Sequence, residues 1–349
     1  MKTAQRLAVV LAMIVVAGFT ACSGDKSSSE GVKLQGAGAS FPAPLYQKWF
    51  KAYSGSHDGV QIDYQSIGSG GGVKSVIDKT VDFGASDAAM SDEDIAKVDG
   101  GVQLLPMTAG CIVLTYNLKG VTSLKLSRKA YAGIFLGTVK RWNDPVITKD
   151  NAGVALPDQP INVVVRADGS GTTFVFTKHL SAISPEFAKN PGVNKLPNWP
   201  TGTKSKGNEG VTASIMMTPG AIGYIEYGYA KSQNLPMASL ENKSGEFVAP
   251  STASAQAALA TAVFPDNLIA WVSDPDAKDA YPIATYTWLI CYKQYKDKAK
   301  FQIIQGLLNY CVTDGQKDSE ALGYIPLPQS VVDKDKAAIQ SITLAPNAT

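Results

Sequence analysis

Histidine is nearly missing from this chain. Only His57 and His179 occur in 349 residues, and neither stands at metal-ligand spacing from a cysteine or a second histidine, so no imidazole-built metal centre is expected. His57 falls in a polar turn and His179 on a helical pattern; both read as surface or packing residues. Cysteine is scarce, with four in all. No G-x-x-x-x-G-K-[ST] run occurs, and the two glycine-rich runs that approach a dinucleotide fingerprint carry Phe41 and Val73 where its final glycine belongs. Ser170 sits in no nucleophile elbow, because Asp168 holds the first position of that motif. Asp87 lacks the paired carboxylates or metal ligands a phosphatase needs. An enzymatic reading therefore runs short of parts, and no cofactor is expected.

Excess charge of one sign is also lacking. Setting Lys2 and Arg6 aside leaves 30 basic residues against 30 acidic ones, which gives no general attraction to nucleic acid or to an anionic membrane surface. Long hydrophobic runs are lacking too. Leu7 to Ala21 is apolar over about fifteen residues, fewer than the ~20 a spanning helix needs. Behind the basic start of Lys2 and Arg6 it reads as an export signal over residues 1–21. Gly18-Phe19-Thr20-Ala21-Cys22 resembles a bacterial lipobox, with Phe19 where leucine is usual. Cys22 is then the lipid-bearing first residue of the mature chain, and residues 22–30 a polar tether; a soluble secreted form is the alternative. Of the remaining cysteines, Cys111 reads as a small core residue. Cys291 and Cys311 read either as a bridge or as two buried thiols.

What the chain does have is three glycine- and hydroxyl-rich runs, each ahead of a helical pattern. Arg166-Ala167-Asp168-Gly169-Ser170-Gly171-Thr172 follows the apolar run Ile161 to Val165 and precedes a helix through Leu180. Gly36-Ala37-Gly38-Ala39-Ser40-Phe41-Pro42 precedes Leu45 to Tyr53, and Ile67-Gly68-Ser69-Gly70-Gly71-Gly72 lies between Val60–Tyr64 and Val73–Lys79. Unpaired N–H groups and about half a positive charge face outward at each helix start. With Arg166, three such ends supply about +2.5, which suits an anion of more than one charge. Asp87 restricts that anion. A carboxylate repels a fully ionised oxyanion but accepts a hydrogen bond from one that keeps a proton. The alternative is that Asp87 merely caps a helix start, a job for which Ser91 and Asp92 compete.

Alternating strand-like and helix-like runs argue an α/β fold. Strands are expected at 103–105, 111–116, 161–165, 221–226 and 285–292, and amphipathic helices at 128–135, 252–260 and 300–312. About 320 mature residues exceed one core and predict two domains.

Gly36–Pro44, Tyr64–Lys74, Val81–Asp87, Arg166–Phe176 and Pro219–Tyr227, with weaker matches at Ile134–Trp142 and Gly315–Pro328, resemble the periplasmic phosphate-binding proteins of ABC-type phosphate importers. The resemblance implies a type II periplasmic-binding-protein fold of two lobes, each an open sheet flanked by helices, with the ligand in the hinge cleft. Lobe one would comprise residues 31–107 and 285–349, and lobe two residues 108–284. It implies phosphate held by Ser40, the Phe41 N–H, Ser69, Asp87, Arg166, Ser170, the Gly171 N–H and Thr172, with Asp168 orienting the arginine. It further implies an exported monomer that delivers phosphate to a membrane permease. Receptors for sulfate, tungstate or arsenate, and a surface scaffold reusing the fold, are the competing readings.

Overall fold

The computed structural model describes residues 31–348; the leader, the tether and Cys22 lie outside the described residues. Eight strands form the main sheet: β1 (Val32–Gly38), β2 (Val60–Ser66), β3 (Phe83–Ser86), β4 (Val102–Tyr116), β5 (Asn162–Arg166), β6 (Thr203–Ser205), β7 (Ala221–Glu226) and β8 (Ala284–Tyr292). Their order is β2-β1-β3-β8-β4-β7-β5-β6. Strands β1, β2 and β3 are mutually parallel, as are β5, β6 and β7. The long strands β8 and β4 run antiparallel to their neighbours and join these two sets.

The inner parallel strands β3, β5 and β7 are almost wholly buried because helices cover their faces, whereas the edge strands β2 and β6 stay partly exposed and polar. Four of these helices begin just beyond the carboxyl ends of strands: α1 (Ala43–Gly55) after β1, α2 (Ser69–Ile77) after β2, α3 (Gly171–Ile183) after β5 and α4 (Gly207–Met217) after β6. On α1, Leu45, Tyr46, Trp49, Phe50 and Tyr53 recur at helical spacing and are buried, so that face packs on the core. Deleting a side chain such as Trp49, fully enclosed, would cost roughly 3–5 kcal/mol.

The expected strands at 103–105 and 111–116 are one strand. Pro106 reads as a break because proline has no N–H for a ladder. Here it lies where the β4–β8 register shifts, opposite Trp288 and next to the irregularity between Thr287 and Trp288. That bulge is a place where a sheet tolerates proline. The glycine run before Val73 is also helical from Ser69 onward.

His179 is a packing residue on α3, with Nε2 2.8 Å from the Tyr131 hydroxyl; burial pushes its pKa down to about 4. Cys291 and Cys311, for which spacing allows a bridge or two thiols, are free and buried, as is Cys111. Each is enclosed in the core, and burial pushes the thiols of Cys291 and Cys311 up.

Candidate functional site

In an open parallel sheet, ligands lie beyond the carboxyl ends of the strands. Ser40 follows β1, Ser69 follows β2, Asp87 follows β3 and Arg166 ends β5, with Asp168 and Ser170 just beyond. Contacts bring Ser40, Ser69, Asp87, Arg166, Gly171 and Thr172 together where the two parallel sets meet; Phe41 follows Ser40 in the chain and Ser170 precedes Gly171 at the start of α3. Ser69, Ser170 and Thr172 are fully enclosed, and Ser40, Asp87 and Arg166 keep about 1% exposure.

The backbone makes this convergence possible. Gly68 has φ +84°, and a Cβ there would lie 2.1 Å from Asp168 Oδ2. The Gly70 N–H donates to the Gly169 carbonyl at 2.8 Å. The starts of α2 and α3 therefore abut. Gly171 is enclosed from two sides: an added Cβ would stand 2.5 Å from Ser69 Oγ and 2.7 Å from Asp87 Oδ2. Changing Gly171 to alanine should force the two helix starts apart and weaken anion binding by about tenfold or more, while far-ultraviolet circular dichroism stays native. Unchanged affinity would show that the close approach is dispensable.

Arg166 is held from one side. Nε and Nη2 reach the two carboxylate oxygens of Asp168 at 2.9 and 2.5 Å, and Nη1 points to Thr172 Oγ1 at 3.4 Å. Burial works to raise the Asp168 pKa, but the Arg166 contacts and the Gly207 N–H outweigh it and hold the carboxyl below its usual range. The remaining Arg166 N–H groups are left for an anion. At the start of α3, Ser170 caps the helix by accepting from the Thr173 N–H at 3.0 Å.

Asp87 does not cap the helix that follows it; Ser91 does that job, accepting from the Asp94 N–H, and the Asp87 carboxylate instead accepts from the Thr172 main-chain N–H at the start of α3. Asp87 Oδ1 accepts from Thr287 Oγ1 at 2.8 Å, and Ser69 Oγ lies 3.5 Å from Oδ2 while accepting from the Asp87 N–H at 3.2 Å. Burial pushes the Asp87 pKa up to about 7, against the Thr287 hydrogen bond and the Arg166 charge. Of Asp87 and Asp168, only Asp168 has an ion-pair partner; the buried Glu226 carboxylate nearby has none among the described residues either.

Two members of this network carry no local sequence signal. Thr287 sits in the middle of β8, where it reads as an ordinary strand residue. Asn208, fully buried, is the second residue of α4. Its run Gly207-Asn208-Glu209-Gly210 repeats the loop-to-helix device of the other three, but β6 before it is short and polar enough to pass for a turn. Tyr229 also reaches the site from outside the predicted set, donating its hydroxyl to the Ser40 carbonyl at 2.7 Å.

A model of the PBP superfamily domain matches residues 24–314. The phosphate-binding protein PstS of Pasteurella multocida is 41% identical over 316 residues, covering 89% of this chain and 90% of that protein. The chain belongs to this family. The PstS protein of Methanocaldococcus jannaschii is 35% identical over 367 residues, covering 96% of this chain and 94% of its own. Among solved structures, a high-affinity periplasmic phosphate-binding protein bound with phosphate superposes with a TM-score of 0.74 at 20% identity, covering 88% of this chain and 93% of that one. The phosphate-binding protein of Stenotrophomonas maltophilia gives 0.72 at 23% identity, over 88% and 94%. The fold is the two-lobed fold of periplasmic binding proteins.

Proposed function

We propose that this protein is an extracytoplasmic receptor for inorganic phosphate that hands its ligand to a membrane permease. It binds and releases; it performs no catalytic step. The observation that carries this reading is the donor count of the buried cluster. Three helix starts, the Ser and Thr hydroxyls and Arg166 are the donors, and Asp87 is the one carboxylate among the residues assigned to the ligand. Such a set matches a tetrahedral oxyanion that keeps a proton. Phosphate keeps one at neutral pH, and sulfate does not. Ser40, the Phe41 N–H, Ser69, Asp87, Arg166, Ser170, the Gly171 N–H and Thr172 are assigned to the ligand, and Asp168 to the arginine. The PstS names of the relatives support the same ligand.

Residues 31–107 and 285–349 are assigned to one lobe and 108–284 to the other, with β4 and β8 as the two chain crossings. Opening about these crossings would separate Ser40, Ser69 and Asp87 from Arg166, Ser170 and Thr172 and release the anion. A receptor that must present both lobes to its permease is expected to act as a monomer.

Lipid attachment at Cys22 is proposed from the lipobox-like run. Changing Cys22 to alanine should release the protein from the membrane fraction and leave phosphate affinity unchanged. Continued sedimentation with membranes would assign retention to something other than the lipid.

A further inference from the structure

We infer that Asn208 fixes the polarity of the two hydroxyls that face the ligand, making Ser40 and Thr172 obligate hydrogen-bond donors. The inference rests on the phosphate reading and concerns how that site counts protons.

The orientation of the Asn208 amide is set by a group that can only donate. The Glu226 main-chain N–H reaches Asn208 Oδ1 at 2.9 Å, so the oxygen must face Glu226 and Nδ2 must face the cluster. Nδ2 has two hydrogens and two acceptors at hand: Ser40 Oγ at 2.8 Å and Thr172 Oγ1 at 3.2 Å. The main-chain N–H of Asn208, unpaired within α4 because it lies in the first turn, also donates to Ser40 Oγ, at 3.0 Å.

The consequence comes from counting lone pairs. A hydroxyl oxygen has two, and both of Ser40's are taken by Asn208. Thr172 is in the same position, with one lone pair on Asn208 Nδ2 and the other toward Arg166 Nη1 at 3.4 Å. Each hydroxyl is left with only its hydrogen to offer. Neither can accept a ligand proton, so the bound anion must present bare oxygens to both. A protonated ligand oxygen must therefore turn away from these two hydroxyls, toward Asp87 or toward Ser69 and Ser170, each of which accepts a single hydrogen bond. Asn208 touches one residue from each parallel-strand set, Ser40 after β1 and Thr172 after β5, so this polarity is established only when the sets meet. It is a positioning residue that acts through those two hydroxyls.

The test is a double-mutant cycle read by titration with inorganic phosphate. Asn208→Ala should weaken binding by about tenfold to fiftyfold, because the freed hydroxyls rotate and their lone pairs confront the anion. In a Ser40→Ala/Thr172→Val background, the same substitution should cost less than about twofold, since no hydroxyl remains to be oriented. A residue that merely supports the fold would cost the same in both backgrounds. Should the alanine variant fail to fold, Asn208→Leu keeps the side-chain volume, brings no charge beside the anion and removes both side-chain donors. Its penalty should shrink likewise in the hydroxyl-free background. Equal penalties in the two backgrounds, or no penalty in the native one, overturn the inference while leaving the phosphate reading intact. Failure of the unsubstituted protein to bind phosphate overturns that reading first.

Discussion

Replacing Arg166 with alanine is expected to lower phosphate affinity by at least about 2 kcal/mol, a thirtyfold loss or more, with the fold retained. The guanidinium is almost fully buried and is the only formal cation in the cluster. Its loss removes a charge-assisted contact from a dry site, where water cannot replace it. A second effect arises from the Asp168 pair. Arg166 holds that carboxylate with two hydrogen bonds, and without it Asp168 keeps the Gly207 N–H at 3.0 Å as its remaining charge-compensating contact. The Asp168 pKa should then rise, since burial already acts in that direction. Acid should cease to be as destabilising in the variant as in the native protein, because less stability depends on keeping Asp168 ionised. Titration calorimetry with phosphate checks the first effect, and thermal unfolding at pH 7 and at a pH below the 3.8 of a free aspartate checks the second. Near-native affinity would remove Arg166 from the ligand shell.

The second large effect belongs to Asp87. Its pKa rises from 3.8 to about 7 on folding, chiefly through burial. An acid raised in this way holds its proton longer in the folded state than in the unfolded one. Stability of the ligand-free protein therefore declines as pH rises from about 4, and above pH 7 the deficit reaches a few kcal/mol. Asp87→Asn should raise the ligand-free melting temperature, more at pH 8 than at pH 5. The same group sets selectivity. Sulfate has no proton to give, so it fits only when Asp87 itself is protonated. Above about pH 7 sulfate affinity should fall close to tenfold per pH unit, while phosphate, which carries a proton, is affected far less. The asparagine amide both accepts and donates. The variant should lose the sulfate pH slope and show a narrower phosphate-to-sulfate ratio, with modest loss of phosphate affinity. An unchanged ratio and slope would place Asp87 outside the ligand shell.

Much of this site is legible in the sequence because each predicted member belongs to a local strand–loop–helix run. Arg166, Asp168, Ser170, Gly171 and Thr172 span seven residues, and the signal for a helix start lies within that window. Ser40 and Ser69 are visible in the same way. Asp87 is ambiguous locally, between a ligand and a cap; Ser91 takes the cap of the following helix, which removes that alternative and leaves the ligand role as a proposal.

Other features are set by distant pairing. Asn208 meets Ser40 across 168 residues of chain, and Thr287 meets Asp87 across 200; no window on the sequence contains either pair. The continuity of β4 is hidden for a related reason. Pro106 is a strand breaker by its own chemistry, and only the bulge beside it, where Met107 is the extra residue of β4 between the Thr108–Thr287 and Pro106–Trp288 pairs, makes a continuous strand permissible. The state of Cys291 and Cys311 is likewise open at the level of spacing, since both a bridge and two buried thiols suit a strand and a later helix.

Calorimetric titration of the protein with inorganic phosphate at pH 8, alone and with a large excess of sulfate, tests the central claim most directly. The account predicts tight one-to-one phosphate binding that sulfate leaves unchanged. Absence of phosphate binding, or its displacement by sulfate, would contradict a buried donor shell whose one carboxylate demands a proton from its ligand.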